Sequence, residues 1–250
     1  MKIGIIGVGA IGGHLARSLA AKGHEVRVAN SRGADAVREF AKAAGASATD
    51  VSGAVDGVDA VIISIPFSAI AKLPRGLFAN LREGVPVIDT GNYYPVLRDP
   101  PVEEIEAGKT ESVWVAEQLG RPIIKAFNSI FAASLAEKGK PAGARNRVAL
   151  AVAGDTPEEK RVAMGLVDQV GFDPLDAGSL QDSWRQQPNT PAYCTDYGLS
   201  DLRRALASAV EGAAPAKRAE FVANIQKIFA ENPTNDERVA LARRETPITA

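Results

Sequence analysis

Cysteine and histidine are nearly absent from this chain. A single cysteine in 250 residues, Cys194, excludes an internal disulfide, and the common fate of such a thiol is small, buried, apolar packing. The two histidines, His14 and His24, leave little of the usual acid–base stock. An excess of charge is also missing. A net charge of -1 predicts no bulk attraction to nucleic acid or to an anionic membrane. No apolar run reaches the ~18 residues that a membrane helix needs. There is no internal repeat of fixed period and no low-complexity segment. What remains is an ordinary globular composition, 46% hydrophobic and 24% charged. A soluble, cytoplasmic protein with a small-molecule partner, no metal and no nucleic acid is the expectation.

What the chain does have is an ordered beginning. Lys2 to Ile6 is a short β-branched apolar run suited to a buried strand, and it empties into Gly7-Val8-Gly9-Ala10-Ile11-Gly12. In such a G-x-G-x-x-G turn the first glycine permits the tight turn. The second removes a side chain that would block a pyrophosphate, and the third lets the following helix pack against the strand. Ile11, Leu15 and Leu19 then make one helical face, closed by Lys22-Gly23. The free amides and dipole of its first turn favour an anion. A secretory signal is the competing reading of this apolar start, and the ordered glycines argue against it.

A second strand, Glu25 to Ala29, ends at Asn30-Ser31-Arg32. At this place, ~20 residues past the glycines, an NAD-binding unit carries an acid for the ribose 2′-hydroxyl. Here a hydroxyl and a guanidinium stand instead. Those groups suit a 2′-phosphate, which an acid would repel, so NADP(H) is the expected cofactor.

Further apolar runs follow at Asp59 to Ile65, Pro86 to Asp89, Pro122 to Ala126 and Asn146 to Ala153, with Phe172 to Leu175 after them. Helical patterns separate them at Gly33 to Gly45, Leu77 to Leu81, Ser112 to Leu119 and from Thr156 to Gly171. Thr156 and Glu159 have capping-box spacing, as do Thr234 and Glu237. Seven or eight strands alternating with helices predict an α/β fold, a doubly wound (Rossmann-type), mostly parallel sheet. Its ligand crevice lies at the carboxyl ends of the strands, where Ile65, Pro66, Asn92, Phe127 and Asn128 fall. Residues 1–180 are the expected NADP-binding domain with an acceptor cleft, and 181–250 a loop and helical extension. In that extension Phe221, Val222, Ile225, Ile228 and Phe229 form an apolar stripe, suited to the chain's own sheet or to a homodimer.

From Lys2 to about Trp184 these residues resemble the NADPH-dependent oxidoreductases of coenzyme F420, a deazaflavin, and the similar cytosolic reductase domain of six-transmembrane metalloreductases. The carriers are Gly7 to Gly12, Ser31-Arg32, Ile65-Pro66, Lys125-Ala126-Phe127-Asn128, Gly154-Asp155 and Asp176 to Leu180. The resemblance implies that Ser31 and Arg32 hold the 2′-phosphate. It also implies that Ile65, Pro66 and Asn128 surround the nicotinamide, Asn128 positioning the ring, with a flavin or deazaflavin acceptor stacked against it. The deazaflavin enzymes tend to carry His where this chain has Asn128 and Arg where it has Gly33; Asn128 matches the metalloreductase-like branch, whose acceptor is a flavin.

Reduction of a carbonyl needs a placed proton donor, and only Lys125, Tyr93 and Tyr94 are candidates beside the histidines. Exchange between two rings needs mainly stacking and exclusion of water. The expected activity is therefore hydride transfer between NADPH and a flavin or deazaflavin. A carbonyl or imine reductase of the β-hydroxyacid dehydrogenase kind, and a binding module sensing NADP(H) redox state, are the alternatives.

Overall fold

The computed structural model describes residues 1–95, 97–215, 217 and 232–249. Its centre is a six-stranded parallel sheet in the order β3-β2-β1-β4-β5-β6. The strands are β1 (Lys2–Ile6), β2 (Glu25–Ala29), β3 (Ser47–Ala48), β4 (Ala60–Ile63), β5 (Val87–Asp89) and β6 (Ile124–Lys125). A parallel pair, β7 (Ala149–Val152) and β8 (Asp173–Asp176), continues it. The join is an antiparallel bridge in which the Lys125 and Ala153 amides each donate to the other's carbonyl, at 2.8 and 3.0 Å. The expected mostly parallel, doubly wound α/β sheet is the observed fold.

Both faces of the sheet are covered, which is why its strands read as unbroken apolar runs. Ile3, Ile5, Val26, Val28, Ala60 and Ile62 point to one core. That core is closed by α1 (Ala10–Ala21), α2 (Arg38–Ala44) and later by α6 (Pro157–Val170). Ile6, Val61, Ile63 and Val87 point to the other. There Phe67 stacks on Trp114 with ring centroids 5.0 Å apart. Trp114 belongs to α4 (Glu111–Leu119), which follows the single turn α3 (Glu103–Glu106). A third cluster seats α7 (Leu199–Ser208) on β7 and β8 through Ala149, Ala151, Leu202 and Ala205. Among the described residues no helix is long and apolar enough to cross a membrane.

Two local expectations fail. Leu77 to Leu81 forms turns, not a helix. Seven residues between Gly76 and Gly84, both at positive φ, cannot repay helix nucleation. At the start of α6, Thr156 occupies the cap position without a side-chain cap. Glu159 turns inward and comes within 3.9 Å of Arg121, so a tertiary partner displaces the capping box. The other box forms: the Glu237 amide donates to Thr234 Oγ1 at 3.3 Å, and the Thr234 amide to Glu237 Oε2 at 2.7 Å. It opens α8 (Asn235–Glu245). The apolar stripe from Phe221 to Phe229, and with it the helix expected there, lies outside the described residues.

α8 is tied back to the body. Arg243 donates to the Thr195 carbonyl at 2.7 Å. Asn235 donates to Ser134 Oγ at 2.8 Å, and Ser134 sits on α5 (Ala132–Glu137).

Candidate functional site

Strand order reverses at β1, whose neighbours are β2 and β4, so a crevice opens between the carboxyl ends of β1 and β4. The glycine turn occupies it. Gly7 has φ +102, and a Cβ there would overlap the Ser64 carbonyl and lie 2.9 Å from Ile65 Cγ2. A Cβ on Gly12 would overlap the Gly7 carbonyl oxygen and lie 2.8 Å from Ser64 Cβ. A Cβ on Gly9 would meet no atom within 4 Å. The outer glycines are thus fixed by the protein's own packing, whereas the middle one borders open space at the first turn of α1. The space there is bordered by backbone and by the positive end of a helix, an arrangement that favours an anion. Val8 and Ile11 are half-buried and Ala10 is exposed around it.

At the end of β2, Asn30 accepts the Arg32 amide on Oδ1 at 2.8 Å, a local turn that leaves Ser31 and Arg32 exposed. The Arg32 guanidinium has no ion pair among the described residues, and no carboxylate stands in the Asn30-Ser31-Arg32 turn. Ile65 is half-buried and Pro66 exposed beyond the end of β4.

The ends of β5 and β6 are knotted together. Lys125 Nζ lies 2.6 Å from Asp89 Oδ2 and 2.5 Å from the Gly91 carbonyl, while Asp89 Oδ1 accepts the Gly91 amide at 2.9 Å. This ties down the turn that carries Asn92. Asn92 in turn donates to the Asn128 carbonyl at 2.9 Å, and Asn128 Nδ2 donates to Asn92 Oδ1 at 3.1 Å and to the Gln186 carbonyl at 2.8 Å. Gln186 Nε2 donates back to Asn128 Oδ1 at 3.0 Å. The Asn128 amide is therefore buried and committed at both ends, a clasp just past the carboxyl ends of β5 and β6. Phe127 differs from the expectation as well. Its ring lies in the core, and with φ +61 it can offer a ligand only backbone.

The candidate proton donors are spoken for. Lys125 is fully buried in its ion pair. Tyr93, also fully buried, donates to Glu106 at 2.8 Å and accepts the Val102 amide at 2.9 Å. The Tyr94 hydroxyl is bonded to that of Tyr193. Burial, reinforced by the neighbouring Cys194 thiol, raises the pKa of both phenols, and burial raises that of Cys194. His14 lies on the side of α1 that faces Leu135 and Lys140, its pKa lowered by burial and then by Arg17. His24 bonds to Gln169. Sequence reasoning missed Asp89 and Gln186, although a lysine inside an apolar strand signals a buried acid on a neighbouring strand.

With this geometry in hand, comparisons with known proteins converge. The family described as NADP oxidoreductase, coenzyme F420-dependent, matches residues 2–93, which carry the glycine turn, Ser31-Arg32 and Asn92. The Escherichia coli K12 protein YjhV is 43% identical over 97 residues, which span 39% of this chain and 70% of YjhV. The crystal structure of hypothetical protein SMa0349 from Sinorhizobium meliloti superposes with a TM-score of 0.62 at 28% identity, covering 75% of this chain and 89% of that one. A candidate F420-dependent NADP-reductase from Arthrobacter sp. FB24 shares the fold, with a TM-score of 0.59 at 20% identity over 73% of this chain and 87% of that one. The chain belongs to the family of coenzyme F420-dependent NADP oxidoreductases.

Proposed function

We propose that this oxidoreductase uses NADPH and transfers hydride between it and a flavin or deazaflavin ring. The observation that carries the cofactor choice is the end of β2. An exposed, unpaired Arg32 beside Ser31, with no carboxylate in that turn, suits a 2′-phosphate and not a free 2′-hydroxyl. The open space over Gly9 supports a pyrophosphate between this end and the crevice.

NADPH bound there supplies the hydride. The chain's own residues bind, orient and exclude water. Arg32 and Ser31 hold the adenosine end, and the first-turn amides of α1 hold the phosphates. Ile65 and Pro66 border the nicotinamide. The Asn92–Asn128–Gln186 clasp sets the opposite wall rigidly, so that two rings can meet at stacking distance. The commitment of Lys125 and Tyr93 to internal partners supports a ring acceptor over a carbonyl that needs a general acid.

The test is anaerobic NADPH oxidation by the purified protein with FMN, FAD, the oxidised deazaflavin coenzyme, and a few small ketones and imines. Turnover with a ring acceptor is expected. Turnover with a ketone or imine alone would overturn the acceptor assignment, and tight NADPH binding without turnover would leave a binding module.

A further inference from the structure

Beside the clasp lies a cavity of about 290 Å³. Its walls are mostly apolar: Phe131, Pro188, Leu241 and Ala242. Tyr94 and Phe131 lie just past the clasped Asn92 and Asn128, and the wall from Pro188 to Cys194 follows Gln186. The Cys194 amide, at φ +57, donates to the Ser129 carbonyl at 2.9 Å and pins that wall to the end of β6. The far wall comes from α8, well outside residues 2–93.

The Glu245 carboxylate and the Arg98 and Arg238 guanidinium groups line this space together with a cluster of uncharged hydrogen-bond donors. The Tyr94 and Tyr193 hydroxyls share one hydrogen bond, and the buried Cys194 thiol follows Tyr193 in the chain. Two phenol protons serve one link, so one hydroxyl donor is left over. Burial keeps all three groups protonated at neutral pH. Asn189, held at φ +66, has a buried Nδ2 with no partner among the described residues. An unmatched buried donor is costly, and a ligand oxygen would satisfy it.

We propose that this cavity binds the flat ring of the hydride acceptor, a conjugated carbonyl compound whose oxygen-bearing edge meets Asn189 and the Tyr94–Tyr193 pair. The proposal rests on the reductase reading and adds the acceptor's chemical class and its seat. The volume stands at the small end of ligand pockets, ~300–1,000 Å³. It takes a ring system but not a phosphorylated side chain as well, so a quinone enters whole and a flavin or deazaflavin enters ring first.

Equilibrium binding and NADPH-dependent turnover would be measured for menadione, FMN and the oxidised deazaflavin coenzyme, with wild type and two variants. Leu241→Trp fills the cavity. The double variant Tyr94→Phe with Tyr193→Phe keeps its shape and removes the hydroxyls. Leu241→Trp should weaken binding of the preferred ring at least tenfold with NADPH affinity changed less than twofold, and the double variant should weaken it several-fold. If Leu241→Trp fails to fold, the double variant decides. Unchanged ring binding in the variants, or no ring bound by wild type, would overturn the proposal. Ring binding that Leu241→Trp abolishes, without turnover in wild type, would sustain the seat and sink the reductase reading. Which of the three probes binds tightest separates quinone from flavin and deazaflavin.

Discussion

Lys125 and Asp89 form an ion pair at 2.6 Å with essentially no solvent exposure of either side chain, at the ends of adjacent parallel strands. Removing one partner of such a pair strands the other charge, at a cost of about 3–5 kcal/mol. Lys125→Met should therefore lower the unfolding free energy by about that amount. Lys125→Met combined with Asp89→Asn should cost clearly less than the sum of the singles. Urea denaturation of the three variants measures this, and additive losses would mean the two groups do not interact.

Gly9 and Gly12 separate binding from folding. Gly9 has φ -69 and ψ -164, backbone that alanine adopts freely, and open space where a Cβ would go. Gly9→Ala should leave stability unchanged or raise it by about 0.4–1 kcal/mol, while NADPH affinity falls because the methyl occupies the pyrophosphate's place. Gly12→Ala should cost about 1–3 kcal/mol through overpacking against Gly7 and Ser64. Melting curves with and without NADPH read both effects. A Gly9→Ala protein that binds NADPH normally would move the pyrophosphate elsewhere.

Local signals were legible in the sequence and long-range ones were not. β1 and β2 coincide with their apolar runs because strand length and glycine turn are encoded within a few residues. The strand expected from Pro122 to Ala126 narrows to Ile124–Lys125, since Pro122 has no amide for the ladder. The two candidate capping boxes share one spacing and differ in what lies nearby: Arg121 stands beside Glu159, and among the described residues no comparable partner draws Glu237 away. Likewise the identity of Asn128 was readable, but its clasp was not, because Gln186 arrives from 58 positions away. The cavity is of the same kind. Its walls come from four separate stretches of chain, and no window of sequence holds them together.

Arg32 tests the cofactor. A charge-assisted hydrogen bond contributes about 1.5–3 kcal/mol, so Arg32→Ala should weaken NADPH binding by roughly 10- to 100-fold. NADH, which lacks the 2′-phosphate, should lose little. The NADPH affinity of the wild type should also fall with added salt more steeply than that of the variant, since an exposed guanidinium is screened. Equal losses for the two nucleotides would sink the 2′-phosphate assignment.

Glu159 makes one contribution of definite sign to the pH dependence of stability. Burial raises its pKa above the ordinary 4.5, and Arg121 offsets this only in part; its Oε2 has no partner among the described residues. A raised carboxyl pKa means the folded protein holds the proton more tightly than the unfolded chain. The stabilisation from that proton is present below pH 4.5 and is lost as pH rises through the folded-state value. Glu159→Gln cannot ionise and so escapes the loss. Its stability relative to wild type should rise as pH rises above 4.5 and level off once the folded wild-type carboxyl has ionised. Paired urea titrations at acid and neutral pH measure the difference. A gap that narrows with rising pH would show that attraction to Arg121 outweighs burial and that the carboxylate is the favoured form.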